Sequence, residues 1–162
     1  MTALPAPGDR APGFELPNQH GEPVSMDSLQ GSAVVLVFYP FAFSRVCTSE
    51  LDEIHRNLGE FQARGVRVLA VSVDHKYALR TYAEEHGYSF DLLADFWPHG
   101  AVAEKYGALD RTDGYARRVT FFIDAAGFIR ARIESPLGQP RPFEDYRAAL
   151  VQLCEPTVPA SQ

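Results

Sequence analysis

The run Ala33-Val-Val-Leu-Val-Phe-Tyr39 and the segment that follows it, Pro40-Phe-Ala-Phe-Ser44-Arg-Val-Cys47-Thr-Ser-Glu50, decide the reading of this chain. The first stretch is continuously apolar and rich in β-branched residues, as expected of a strand covered on both faces. Beyond Pro40 the period changes. Leu51, Ile54, Leu58 and Phe61 recur at spacings of three, four and three, which predicts one apolar stripe on a helix from about 45 to 64. Asp52, Glu53, Arg56, Asn57 and Glu60 fall on its opposite face, and Gly65 is placed to end it. Val66-Arg-Val-Leu-Ala-Val-Ser-Val73 reads as a second covered strand. Strand, helix and strand in that order form a βαβ unit with a right-handed crossover.

Outward from this unit the elements continue in a consistent order. A helix is predicted from about Lys76 to His86, with Asp74 as its N-cap and Gly87 as its stop. A short helix covers Gly100 to Tyr106, ended by Gly107. Val119-Thr-Phe-Phe-Ile-Asp124 and Phe128-Ile-Arg-Ala-Arg-Ile133 flank Ala125-Ala-Gly127 as a β-hairpin. A last helix, Phe143 to Cys154, places Phe143, Tyr146, Leu150 and Leu153 on one face. A parallel βαβ half, an antiparallel hairpin and a terminal helix are the thioredoxin-like order: α/β, with a mixed central sheet flanked by helices. No repeat or linker divides the chain, so one domain is expected over 1–162, with 156–162 as a frayed tail.

Composition narrows the function. The 162 residues are 46% hydrophobic with a net charge of −6, which argues against disorder and against a general nucleic-acid-binding role. The longest apolar run, 33–39, is far shorter than the ~20 residues of a membrane-spanning helix. The N-terminus lacks the basic and then apolar pattern of a signal peptide, so a cytoplasmic location is expected. Two cysteines, Cys47 and Cys154, exclude a disulfide-stapled scaffold and a tetrahedral cysteine zinc site. The five histidines are scattered, and no metal is expected.

Cys47 falls in the first turn of the predicted helix, with Ser44 as its N-cap. Unpaired N–H groups and the positive end of the helix dipole therefore point toward the sulfur. A free cysteine titrates near ~8.5, so only a few per cent is thiolate at neutral pH. A helix terminus favours the anion by up to ~2 kcal/mol, and one further cation or strong donor would supply what remains. A small buried core residue is the competing reading of Cys47.

The segment from Pro40 to Glu50 resembles the peroxiredoxin signature: a proline, then threonine or serine, two residues, the peroxidatic cysteine, and a following glutamate. The resemblance extends over nearly the whole chain. Ala11-Pro-Gly-Phe-Glu-Leu-Pro17 is similar to the family's opening strand, an N-terminal extension of the fold. Asp95-Phe-Trp-Pro-His-Gly-Ala-Val-Ala-Glu-Lys-Tyr-Gly107 is similar to its second conserved segment, and Arg118-Val-Thr-Phe-Phe-Ile-Asp124 to its arginine-bearing strand. The pattern most resembles the one-cysteine AhpE-type subgroup of actinobacteria. The resemblance implies a thiol-dependent peroxidase without cofactor, in which the Cys47 thiolate attacks a peroxide and becomes a sulfenic acid. It also implies that Arg118 lies beside the sulfur, that Ser44 holds the peroxide, and that the N–H groups of Val46 and Cys47 complete the site. Pro40 would then shield the sulfur and Glu50 orient the arginine. Arg117 and Arg45 are expected at the surface, and Ser44 stands where the family more often has threonine.

Hydrogen peroxide, organic hydroperoxides and peroxynitrite are the candidate substrates. Thioredoxin, a mycothiol–mycoredoxin pair or a glutathione-linked protein is the candidate reductant, and a homodimer is expected. Phe96 and Trp97 resemble residues near the family's dimer contact or pocket but serve a core equally well, and Phe41 and Phe43 are candidates for the same apolar surface. Cys154 has two readings: packing on the stripe of Leu150 and Leu153, which is preferred, or a resolving cysteine in a two-cysteine cycle. A thioredoxin-type oxidoreductase is disfavoured because Cys-x-x-Cys would need cysteine where Glu50 stands. A cysteine hydrolase would need a general-base histidine that the sequence does not place. A non-catalytic or chaperone-like module is the remaining alternative.

Overall fold

A computed structural model describes residues 3–155. The expected strand 33–39 is β3 (Ala33–Phe38), at the centre of a five-stranded sheet. β4 (Val66–Ser72) pairs parallel to it with Val35 opposite Val68, and β6 (Arg118–Ile123) antiparallel with Leu36 opposite Phe121. β7 (Ile129–Ser135) closes the hairpin at one edge, and β5 (Asp91–Ala94) forms the other edge, parallel to β4. The sheet is mixed, as the thioredoxin-like order requires. A separate antiparallel pair, β1 (Glu15–Pro17) and β2 (Pro23–Ser25), forms the N-terminal extension.

The central position of β3 explains its unbroken apolar run. Val35, Val37 and Tyr39 face one core, shared with α1 (Arg45–Arg56), α2 (Leu58–Gln62), α3 (Lys76–His86) and α5 (Phe143–Cys154). Val34, Leu36 and Phe38 face a second core, closed by the N-terminal segment and α4 (Ala101–Lys105). Side chains alternate across a strand, so both faces must be apolar when both are covered.

Three expectations need correction, and one strand was not foreseen. The helix over 45–64 is two helices, broken at Asn57 (φ −108°, ψ 17°), whose side-chain amide donates to the Glu53 carbonyl at 2.8 Å. An asparagine side chain competes in this way with the helical ladder, while Leu51, Ile54 and Phe61 stay buried across the break. Asp74 does not cap α3: the N-cap is His75, whose Nδ1 accepts from the Tyr77 N–H at 3.2 Å. The edge strand β5 has no counterpart in the sequence reading, because four residues beginning with Asp91 are too short for a clear period. Cys154 is exposed rather than packed with Leu150 and Leu153, since it lies one residue past the buried stripe of α5. The expected frayed tail, 156–162, lies outside the described residues.

Candidate active site

The carboxyl ends of β3, β4, β5 and β7 lie at one end of the sheet, where β6 begins, so five connections meet there. The loop after β3 carries Pro40 to Ser44 into α1. Ser44 has extended backbone (φ −71°, ψ 147°), and its Oγ accepts the Cys47 N–H at 3.3 Å. This is N-cap geometry, and it places Cys47 in the first turn of α1. Cys47 is fully buried (0% exposed), as is the adjoining Tyr39, and Pro40 is buried with them. The two readings of Cys47 therefore coincide in one residue: a core position at the head of a helix.

One turn further along α1, Glu50 is buried among arginines. Its Oε1 accepts from Arg118 Nη1 at 2.6 Å and from Arg141 Nη2 at 2.9 Å. Its Oε2 accepts from the Arg141 backbone N–H at 2.6 Å and from Arg141 Nε at 2.8 Å. Burial pushes the Glu50 carboxyl pKa up, but the hydrogen bonds and charge of Arg141, with the charge of Arg118, outweigh it and hold the group below the ordinary carboxylate value. Arg118 is pinned at its other end, where Nε donates to the Leu137 carbonyl at 2.6 Å. Arg141 also donates from Nη1 to the Phe38 carbonyl (2.7 Å) and to Thr120 Oγ1 (3.1 Å), and Thr120 Oγ1 lies 2.7 Å from the Tyr146 hydroxyl. Burial lowers the Arg141 pKa, yet Tyr146, the hydrogen bonds and charge of Glu50, and Cys47 more than reverse this.

Arg141 is the residue that the sequence reading missed. It stands between two prolines in Gln139-Pro-Arg-Pro142, a loop with no periodicity, and only the return of α5 to the sheet brings it against Glu50. Arg118 and Glu50 do meet, and Arg117 and Arg45 are exposed. Arg117 pairs instead with Glu134. The N–H of Cys47 is engaged by Ser44 in this state.

Beside Arg118 opens a cavity of about 480 Å³, walled by Tyr115, Arg117, Glu134, Pro136 and Leu137. Cys47 is not among the residues that line it. Phe41 packs edge-on against Tyr115 with ring centroids 5.3 Å apart, at the same end of the sheet. The Tyr39 hydroxyl is fully buried without a hydrogen-bond partner of good geometry. Burial raises its pKa well above that of a free tyrosine, and Asp74, Tyr82 and Cys47 push the same way against the Ser72 hydroxyl. Among the described residues no cluster of three or more histidine, cysteine or acidic side chains could hold a metal ion, and no helix is long and apolar enough to cross a membrane.

A thioredoxin-like sheet with a buried cysteine heading its first long helix marks the thiol-based redox proteins as a class. Comparison with known proteins narrows it. The AhpC/TSA family matches residues 7–132. Alkyl hydroperoxide reductase E of Mycobacterium tuberculosis is 40% identical over 131 residues, covering 80% of this chain and 86% of that protein. Peroxiredoxin Bcp of Escherichia coli K12 is 36% identical over 128 residues, 75% of this chain and 81% of that one. Among solved structures, AhpC of Enterococcus faecalis superposes with a TM-score of 0.84 at 27% identity, covering 91% of this chain and 92% of that one. Peroxidoxin BcpB of M. tuberculosis gives 0.79 at 28% identity, with 91% and 96% covered. The chain belongs to the AhpC/TSA family, and as a peroxiredoxin it is a thiol-dependent peroxidase.

Proposed function

We propose that Cys47 is the peroxidatic nucleophile and that the enzyme works with one cysteine, reduced by an external thiol. The observation that carries this reading is the coupling of the buried Cys47 turn to the Glu50–Arg118–Arg141 cluster one helical turn below it. The thiolate attacks the nearer oxygen of a hydroperoxide along the O–O bond. An S–O bond forms, the O–O bond breaks, and the departing oxygen leaves as alkoxide or hydroxide and takes up a proton. The products are a cysteine sulfenic acid and an alcohol or water, or nitrite when the substrate is peroxynitrite. Negative charge shifts to the departing oxygen, so fixed donors around it lower the barrier. Arg118, held at both ends, is the cationic donor, and the Ser44 hydroxyl and the N–H groups of Val46 and Cys47 hold the peroxide. Pro40 keeps water from the sulfur, and Glu50 positions the arginines. The substrates are hydrogen peroxide, organic hydroperoxides and peroxynitrite.

Reduction then proceeds by an external thiol, which displaces water from the sulfenic acid to form a mixed disulfide. A second thiol releases Cys47. Thioredoxin, a mycothiol–mycoredoxin pair or a glutathione-linked protein would serve, and the protein acts as a homodimer in the cytoplasm, its 162 residues forming one domain. The course of α5 supports the one-cysteine cycle. Arg141, two residues before this 12-residue helix, reaches Glu50 beside the site, whereas Cys154 ends it. Such a helix is about 18 Å long, and a disulfide requires Cα atoms within about 7 Å.

Rapid mixing of the reduced protein with hydrogen peroxide tests the reading. Cys47 should be oxidised orders of magnitude faster than a free thiol, Cys47→Ser should abolish the fast phase, and mass spectrometry should find no Cys47–Cys154 bond. A fast phase that survives in Cys47→Ser would overturn the assignment, and a Cys47–Cys154 disulfide would overturn the one-cysteine cycle.

A further inference from the structure

The loop that delivers Cys47 contains one strained residue. Phe43 is the sole non-glycine residue with positive φ among the described residues (φ 68°) and is half exposed, its ring against Tyr82 with centroids 4.8 Å apart. A bulky side chain in that region costs on the order of 1–3 kcal/mol and persists only where its surroundings hold it. It sits directly before the cap Ser44, so its backbone sets where the α1 cap begins. One side of Phe43 is fixed by that cap. The other side is Ala42, whose N–H donates to Asp74 Oδ2 at 2.8 Å, across from the end of β4.

Asp74 is itself held. The same Oδ2 accepts the hydroxyl of Ser72 at 2.7 Å, Ser72 Oγ accepts the Asp74 N–H at 3.3 Å, and Ser72 is fully buried in β4. The carboxylate thus joins the rigid end of a central strand to the middle of the cysteine loop. It is the residue that the sequence assigns to the cap of α3, a role taken by His75, which leaves Asp74 for the loop.

We propose that Asp74 is a positioning residue for the peroxidase reaction, acting as a hydrogen-bond acceptor that holds Ala42 and thereby fixes Phe43, Ser44 and the first turn of α1 over the site. This rests on Cys47 being the nucleophile. The acceptor rather than the charge does this, because the geometry of Oδ2 satisfies two donors at once. Misplacing a reacting group by about 1 Å can cost on the order of 100-fold in rate.

Three substitutions separate acceptor, charge and position. Asp74→Asn keeps an oxygen in place and removes the charge. Asp74→Glu keeps the charge and moves the oxygen outward by one methylene. Asp74→Ala removes both. Stopped-flow oxidation by hydrogen peroxide should leave the asparagine variant within about threefold of wild type and slow the glutamate and alanine variants by about 10- to 100-fold. Amide exchange across residues 41–47 should accelerate in the same two variants and not in Asp74→Asn. A slow Asp74→Asn beside a fast Asp74→Glu would overturn the proposal in favour of a charge role, and a wild-type rate in Asp74→Ala would remove any role. The Cys47→Ser control keeps the two readings apart: its failure to abolish the fast phase refutes the nucleophile, while the exchange pattern still judges the anchor.

Discussion

Glu50 illustrates how a single buried carboxylate can organise a site by being outnumbered. Its two oxygens accept from two arginines and one backbone N–H, and both arginines are pinned again elsewhere, at Leu137, Phe38 and Thr120. In the proposed mechanism, a guanidinium fixed at both ends keeps its direction when a peroxide arrives, so little reorganisation is needed at the moment of reaction. The same arrangement makes acid stability depend on Glu50. Its folded pKa lies below the unfolded one, so its contribution is fully present above the ordinary value near ~4.5 and is lost as pH falls through the folded value. Asp95 has the opposite sign. Burial raises its pKa against the N–H donors of Ala103 and Val102, so its contribution holds in acid and is lost as pH rises through its folded value. Glu50→Gln should lower stability at neutral pH by about 3–5 kcal/mol, the cost of leaving buried cations unpaired. It should also flatten the fall of melting temperature between pH ~4.5 and the folded pKa. A scan of melting temperature against pH on both proteins checks this, and parallel curves would show that Glu50 does not govern acid unfolding.

At the level of elements, the short helix α4 shows what local rules can and cannot supply. Gly100 precedes it at φ 66°, and a Cβ there would lie 2.7 Å from Leu109 Cδ1. Asp95, from the loop after β5, supplies the side-chain cap by accepting from Val102 and Ala103. Gly100→Ala should therefore destabilise the fold by about 1–2 kcal/mol through the left-handed backbone alone. Leu109 can yield at its flexible end, so thermal or urea denaturation should find a loss of that size and no collapse. An unchanged midpoint would mean that the backbone relaxes out of this conformation. Elements with a long period were legible in the sequence: β3, β4, the hairpin and α5 lie where alternation, β-branching and apolar stripes put them. Those set by tertiary contact were not. β5 exists because β4 offers it an edge, α1 stops at Asn57 because a side chain competes for a carbonyl, and Asp74 serves a loop 32 residues away. The site divides likewise. Ser44, Cys47 and Glu50 share one helix start, so spacing reveals them together. Arg118 followed from the resemblance of its strand to the family's arginine-bearing one, but Arg141 reaches Glu50 across 91 residues, and no local pattern marks it.

Seen across the whole molecule, the loops after the parallel strands leave one end of the sheet unusually aromatic. Trp97 is 80% exposed and Tyr77 71%, with Phe41, Phe43 and Phe96 about half exposed beside them. The loops are joined rather than scattered: Asp74 links the first to the second, and His75 meets both Tyr77 and Phe96 with ring centroids 4.9 Å apart. Contiguous apolar surface of this kind marks an interaction site, and aromatic side chains dominate the energetics of such surfaces. A second copy of the chain is the partner that we propose. The consequence for catalysis is direct, because Phe41 and Phe43 flank Ala42 and precede Ser44, so whatever covers them also steadies the cysteine loop. Sedimentation velocity should show a dimer for the wild type, and Trp97→Asp combined with Phe41→Asp should shift it to monomer. The monomeric variant should fold, since Trp97 is 80% exposed and Phe41 about half exposed outside the buried core, yet react with hydrogen peroxide more slowly. A wild type that sediments as a monomer would refute the assembly. A monomeric variant reacting at the wild-type rate would show that the loop is held within one chain, by Asp74 and the Ser44 cap alone.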